Sequence, residues 1–210
     1  MQISKALEPR KTPRQVRAKE KVNRILQVSR KLLIEEGVDR FNTNRLADTA
    51  GINIASIYQY FPNKQSILLE MYRQYLYDLE QLLIQMLDMD MGEDPDKTID
   101  NFFTVIYNRG SEDSDAVVYE RELIKAVKLN SELEAIDKAH HKWFGNMFAD
   151  FFQRIKAKCS RETACQLGLY IYCLDLVFPE FLDAGGDYIL ALEWHRQSVH
   201  AILKPYWSDQ

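Results

Sequence analysis

The amino-acid sequence predicts an all-α fold, and three observations carry that prediction. Gly (8) and Pro (6) are sparse among 210 residues, too few for the turn density of a β-sandwich or barrel. Apolar residues recur at three- and four-residue spacing, and no segment alternates strictly. Residues suited to capping helix ends stand between the periodic runs. With 46% apolar and 28% charged residues, the chain can bury a real core, and disorder is not expected.

The elements follow in order. Residues 1–11 lack periodicity and read as a flexible basic arm. Thr12, Pro13 and Gln15 suit a helix start, with a capping box closed by Gln15. Val22, Ile25, Leu26, Ser29, Leu32 and Leu33 form the inner face of this helix, and Gly37 ends it. Asn42 caps a short second helix that carries Leu46, Ala47 and Ala50, with Phe41 and Leu46 as a hydrophobic staple, and Gly51 stops it. Asn53 caps a third helix, with Ile52 and Ile57 repeating the staple, and Pro62 breaks it. Asn63 opens a long helix with Ile67, Leu68, Met71, Tyr75, Leu79, Leu82, Leu83 and Met86 on its apolar side. The acidic stretch 88–96 reads as a loop. Further helices are expected near 95–109, 115–129, 131–158, 160–183 and 187–204. Ser131 with Glu134 marks one start, Pro179 should kink or end the penultimate helix, and Gly185-Gly186 marks a turn.

Charge is unevenly placed. From Met1 to Lys64, 13 Lys/Arg stand against 6 Asp/Glu, while the remainder carries 14 against 25. A basic first third on an acidic body suits contact with a polyanion through that third. The three cysteines, Cys159, Cys165 and Cys173, have neither disulfide nor zinc spacing, which fits thiols in a reducing cytoplasm. His140 and His141 are adjacent, and His195 and His200 are five apart, so neither pair suits a metal. No uncharged apolar stretch of membrane length and no secretory leader are read. No catalytic triad, phosphate-binding glycine loop or metal-ligand spacing is found, so no catalytic residue, metal or cofactor is expected, and an enzyme is the weaker reading.

The stretch Asn42–Lys64, NTNRLADTAGINIASIYQYFPNK, carries the chemistry. Two short helices joined tightly at Gly51 make a helix-turn-helix, whose second helix enters the DNA major groove. Asn53, Ala55 and Ser56 are small or polar and permit close approach. Gln59 can pair with adenine, and Ile54 can touch a thymine methyl. Thr43, Asn44, Tyr58 and Lys64 can bond phosphates and set the register.

These residues resemble the bacterial tetracycline-repressor (TetR) family of transcription regulators. Ile52–Lys64 is similar to its recognition-helix pattern V-S-x-G-T-L-Y-x-[HY]-F-x-[ST]-K, and Leu46–Gly51 to its I-A-x-x-A-G. The similarity spans about residues 12–72. It implies an all-helical homodimer with a three-helix DNA-binding head and a six-helix body that binds a ligand. In domain terms, 12–63 would be the head and 64–210 the ligand-binding and dimerisation body. By position the resemblance assigns Thr43, Tyr58 and Lys64 to phosphates. It assigns Ile54, Ala55, Ser56, Gln59 and Tyr60 to base edges. Ala55 departs from the family's usual Gly, which bears on how deeply the helix inserts. Arg10, Lys11, Arg14 and Arg17 form an arm that either reaches DNA or merely solubilises the chain.

Beyond residue 75 the reading is from the residues alone. Trp143, Met147 and Phe151, and Phe144, Phe148 and Phe152, recur every fourth residue as a wide stripe, mostly core with a minority lining a cavity. Tyr107, Arg109, Tyr119, His140, Trp143, Phe144 and Met147 are the candidate ligand-binding residues. Asp175, set among apolar residues, is either solvent-facing or a polar pin at an interface. The resemblance implies that the last two helices, over 167–182 and 188–203 with Trp194, pair with a second subunit. The function expected is a cytoplasmic repressor released from a palindromic double-stranded operator by a small, largely apolar effector, without membrane contact. The alternatives are an activator, a ligand-independent DNA-binding protein or an all-α enzyme.

Overall fold

The computed structural model describes residues 16–88, 95–107 and 115–207. Among them are nine α-helices and no strand. They are α1 (Val16–Arg40), α2 (Thr43–Ala50), α3 (Ile54–Tyr58), α4 (Lys64–Asp88), α5 (Pro95–Tyr107), α6 (Asp115–Lys128), α7 (Ser131–Arg154), α8 (Arg161–Asp183) and α9 (Tyr188–Leu203). A 3₁₀ turn, Lys204–Tyr206, follows α9. The expected arm, the Thr12–Gln15 helix start and the core of the acidic loop lie outside the described residues.

The chain forms two compact units, Met1–Leu79 with Asp115–Ile136, and Glu80–Ser114 with Asp137–Gln210. In the first, the apolar stripe of α1 (Ile25, Leu32, Leu33) meets Leu46 and Ala50 of α2, Ile57 of α3 and Ile67 of α4. Each of these side chains is almost wholly buried. Burial of a Leu or Ile contributes about 1.5–3 kcal/mol, so this cluster fixes how α2 and α3 are presented. Helix α6 joins the same core through Tyr119, Leu123, Ala126 and Val127. The Arg30 guanidinium lies 4.2 Å from the centre of the Tyr119 ring. Burial, with a smaller push from Asp78, raises the Tyr119 hydroxyl to about 12 against the opposing charge of Arg30.

The second unit is built on rings and on polar clasps. Phe144, Phe148, Phe151 and Phe152 of α7 are all buried. Phe148 and Phe152 lie 4.8 Å apart at their centres, and Trp207 packs on Phe152 at 5.8 Å. Helices α7 and α8 meet at two glycines. A Cβ on Gly168 would stand 2.6 Å from Cβ of Phe148, and one on Gly145 3.1 Å from the Cys165 carbonyl oxygen. Asp175 is a pin between helices: its carboxylate is 2.6 Å from Nε2 of His195. Asp100 of α5 accepts from Arg196 of α9 and lies 2.8 Å from Nε2 of His200.

Several ends differ from the sequence expectation. The first helix breaks at Gly37, where the sequence places its end (φ 77, ψ 166), but one further turn follows to Arg40, with the Phe41 amide donating to the Gly37 carbonyl. Helix α7 starts under Asn130, whose side chain accepts from the Glu132 and Leu133 amides, so Asn130 and not Ser131 is the capping side chain. It ends at Arg154, where Lys156 takes a left-handed φ of 54 and the Ala157 amide reaches back to Phe152. No glycine announces that stop. Helix α8 runs past Pro179 to Asp183, and Gly185 (φ 88) stands in the turn beyond.

Candidate nucleic-acid interface

The geometry of the helix-turn-helix is set by two polar caps and one left-handed glycine. Asn42 is extended, and its side-chain oxygen accepts from the Arg45 amide at 2.9 Å, which starts α2. Gly51 is left-handed (φ 63, ψ 35), and the Ile52 amide beyond it bonds the Ala47 carbonyl at 3.0 Å, closing α2 within one residue. Asn53 then accepts from the Ala55 amide at 2.8 Å and starts α3. The Arg24 guanidinium donates to the last α2 carbonyl, Ala50, at 2.8 Å.

One face of α3 is anchored and the other is open. Ile57 is wholly buried, and Ile54 and Tyr60 pack half-buried against the same core. Asn53, Ala55, Tyr58 and Gln59 are exposed, as is Asn44 on α2, and Ser56 is half-buried. The half-buried Thr43 lies beside Tyr58, hydroxyl to hydroxyl at 3.0 Å, so the two residues read as phosphate contacts share one edge of the motif. An open face with two amide side chains (Asn53 and Gln59), one methyl and hydroxyls at its edge suits close approach to base edges and backbone.

Two basic residues of this region are tied to other groups of the chain, Arg45 on the exposed surface and Lys64 turned partly inward. Arg45 bonds Glu36 at 2.9 Å, and hydrogen bonding with that carboxylate raises its pKa. Lys64 donates to the Val38 carbonyl at 2.6 Å, and burial pushes its ammonium down, against Asp39. Val38 in turn donates its amide to the buried carboxylate of Glu122 on α6 at 2.8 Å. Glu122 was not singled out from sequence. Its available signal was a charge three residues after Tyr119 and one before Leu123, on the apolar side of α6.

The candidate ligand residues separate. Tyr119 belongs to the first unit's core. His140, Trp143, Phe144 and Met147 belong to the second. Arg109 and the Tyr107 side chain lie outside the described residues. Phe144 is buried in the ring cluster. Trp143 and Met147 line a cleft of about 760 Å³ with Ile84, Asn146, Asp150 and Arg154. Trp143 also stacks on the His140 ring at 5.4 Å. His140 is buried, with Nδ1 3.0 Å from Glu80 and Nε2 without a hydrogen-bond partner among the described residues. Burial lowers its pKa, outweighing the Glu80 hydrogen bond.

Comparison with known proteins agrees with this geometry. Residues 25–71 match the family model of the bacterial regulatory proteins, tetR family. No curated protein matches the chain significantly. A TetR transcription regulator from Haloarcula marismortui is similar in structure, with a TM-score of 0.70 at 13% identity, covering 90% of this chain and 98% of that one. A transcriptional regulator from Saccharomonospora viridis, solved with choline, gives 0.69 at 16% over 89% and 96%. A TetR-family regulator from Marinobacter aquaeolei gives 0.63 at 16% over 88% and 90%. At such identities the likeness is one of fold. The matched residues contain the caps, the Gly51 turn and the open face of α3, so residues 25–71 form a helix-turn-helix of the kind the tetR-family model describes, and the other described elements are helical as in these neighbours.

Proposed function

We propose that the protein is a ligand-responsive transcriptional repressor that binds a palindromic operator as a homodimer. The observation that carries the reading is the α3 surface, held rigidly by Ile57 and presenting Asn53, Ala55, Tyr58 and Gln59 to solvent. Asn44 and Thr43 on α2, with Tyr58, are the backbone contacts. Gln59, Ala55 and Ser56 face the bases, with Ile54 and Tyr60 at the margin. Lys64 serves this surface indirectly, through Val38.

A two-fold dimer would place two recognition helices one helical turn or a multiple apart on DNA. Apolar exposure on the last helices supports such a pairing. Tyr170, Val177 and Phe181 of α8 and Ile189, Leu190 and Trp194 of α9 are all exposed. By length and mean hydropathy (1.3) the stretch Arg161–Leu182 could cross a membrane. Its hydrogen bond to His195 of α9 through Asp175 fits packing against protein better.

The effector would be small and largely apolar, seated against Trp143 and Met147. The solved relative with choline supports a small-molecule role for such a body. A ligand that prefers one body conformation lowers operator affinity only by its differential affinity for the two states. The test has two stages. Selection from random duplexes should return a two-fold symmetric motif, bound less tightly as salt rises. A thermal-shift screen of apolar and amphipathic metabolites should then give hits that weaken binding to that motif. Recovery of no symmetric motif rejects the DNA reading. Hits that leave DNA affinity unchanged reject the effector reading.

A further inference from the structure

We propose that Glu122 of α6 is a positioning residue for the recognition helix, holding with Lys64 the elbow through which α1 leads into α2. This rests on the reading of α3 as the DNA-facing helix. At Gly37 the backbone enters a region open essentially to glycine alone (φ 77, ψ 166). Leaving the helix there strips the next amide, Val38, of its partner four residues back. Val38 is 2% exposed, so water cannot replace that partner. Glu122 does: its Oε2 accepts the Val38 amide at 2.8 Å from 84 residues further along the chain. Its other oxygen takes Lys125 Nζ at 3.1 Å, which balances the buried charge.

The other side of the same residue is held as well. The Val38 carbonyl accepts from Lys64 Nζ at 2.6 Å. Both polar groups of one elbow residue are therefore fixed by side chains of two different helices, α6 and α4. The carboxylate sits so close over the break that a Cβ on Gly37 would be 3.1 Å from its Oε2. One turn earlier on α6, Tyr119 holds Arg30 of α1. Helix α6 thus grips α1 at two points, and the second is the elbow itself. Four residues past Val38, Asn42 caps α2. A carboxylate that sets the direction of the chain at Val38 sets the entry of α2, and through the tight Gly51 turn the pose of α3.

The experiment uses the full chain, the duplex recovered by selection and a scrambled duplex of equal length. Glu122→Ala should lose about tenfold or more in affinity for the selected duplex, while scrambled-duplex affinity stays within about twofold, and the Val38 amide should exchange faster with solvent. Glu122→Gln, whose amide oxygen still accepts from Val38, should stay near wild type. Lys64→Met should lose selectivity with the salt dependence unchanged, whereas a phosphate contact would shed about one unit of salt slope. Wild-type selectivity in Glu122→Ala, or equal losses on both duplexes, overturns the proposal. If Glu122→Ala does not fold, Lys64→Met decides: selectivity lost at constant slope supports the elbow, and wild-type selectivity or a reduced slope overturns it. If the wild type selects no duplex, the DNA reading fails by itself, and Val38 exchange in Glu122→Ala still decides the elbow.

Discussion

Gln59 and His140 show how differently single residues express themselves. Gln59 is exposed, one position beyond the end of α3, on the side opposite Ile57. On the proposed reading, its loss removes contacts to DNA and little from the fold. Gln59→Ala should relax base preference at one position per half-site, at about 1–3 kcal/mol against the best sequence, with no change in melting temperature; competition binding on single-base variants measures this. His140 is the reverse case. It faces Glu80, with Asp137 and His141 also acting on it, and burial depresses its pKa below the ordinary histidine value of 6.5. The unfolded chain therefore takes up a proton at a higher pH than the folded one. Stability tied to this residue is present above about 6.5 and is lost as the pH falls toward the folded value. Thermal melts between pH 7.5 and 5 should show the wild type losing stability on acidification, and His140→Gln should show a shallower loss. Exposed polar positions of this kind were legible from sequence, because spacing from Asn53 and Ile57 fixes which side is open. The inward turn of Lys64 was not legible, since a lysine after Asn63 suits a phosphate and a carbonyl equally until Val38 is located.

Among the elements, caps and glycines decide the outcome more than propensity does. Helices α2 and α3 have 8 and 5 residues, below the length at which an isolated helix is stable, so Asn42, Gly51 and Asn53 carry their boundaries. Asn42→Ala should cost about 1 kcal/mol by chemical denaturation and weaken operator binding beyond that loss of folded protein. Gly37→Ala should cost more, about 1–3 kcal/mol, because the backbone region is closed to alanine and the new methyl crowds Glu122. The starts of α2, α3, α4 and α9 were readable because each has its own signal. The end of α7 was not, because Lys156 adopts a left-handed conformation with no residue type to advertise it. The partnership of α6 with α1 was also invisible. It depends on which of several apolar stripes meet, and periodicity states only that a stripe exists.

For the whole molecule, the central question is what covers the outer faces of α8 and α9. Trp194 is 53% exposed and its ring lies 6.2 Å from that of Phe181, which is also exposed. If a second copy covers them, the mass in solution should be near twice 24.6 kDa. Trp194→Glu should give a monomer by light scattering, still helical by circular dichroism, that has lost palindrome binding because two linked half-sites become two separate events. An unchanged dimer would place the interface elsewhere. A second check concerns acid. Burial raises the Asp100 carboxyl, but Arg196 and His200 more than offset this and hold it below its ordinary 3.8. The clasp of α5 on α9 should therefore persist above pH 3.8 and weaken as the pH falls through the folded value. Asp100→Asn should bring acid unfolding to a higher pH.

The two glycines where α7 and α8 cross have a consequence for how this body can vary over generations. A methyl at 168 would collide with Phe148, and one at 145 would press on the backbone of the facing helix. Position 168 takes no methyl unless Phe148 shifts, and 145 takes one only if the facing backbone gives by a few tenths of an ångström, while the rings around them can be exchanged for others of similar volume. In a saturation library selected for folded protein, 145 and 168 should be near-invariant among variable neighbours. The wall that carries Trp143 and Met147 can then diversify from one lineage to the next while the crossing beneath it stays fixed.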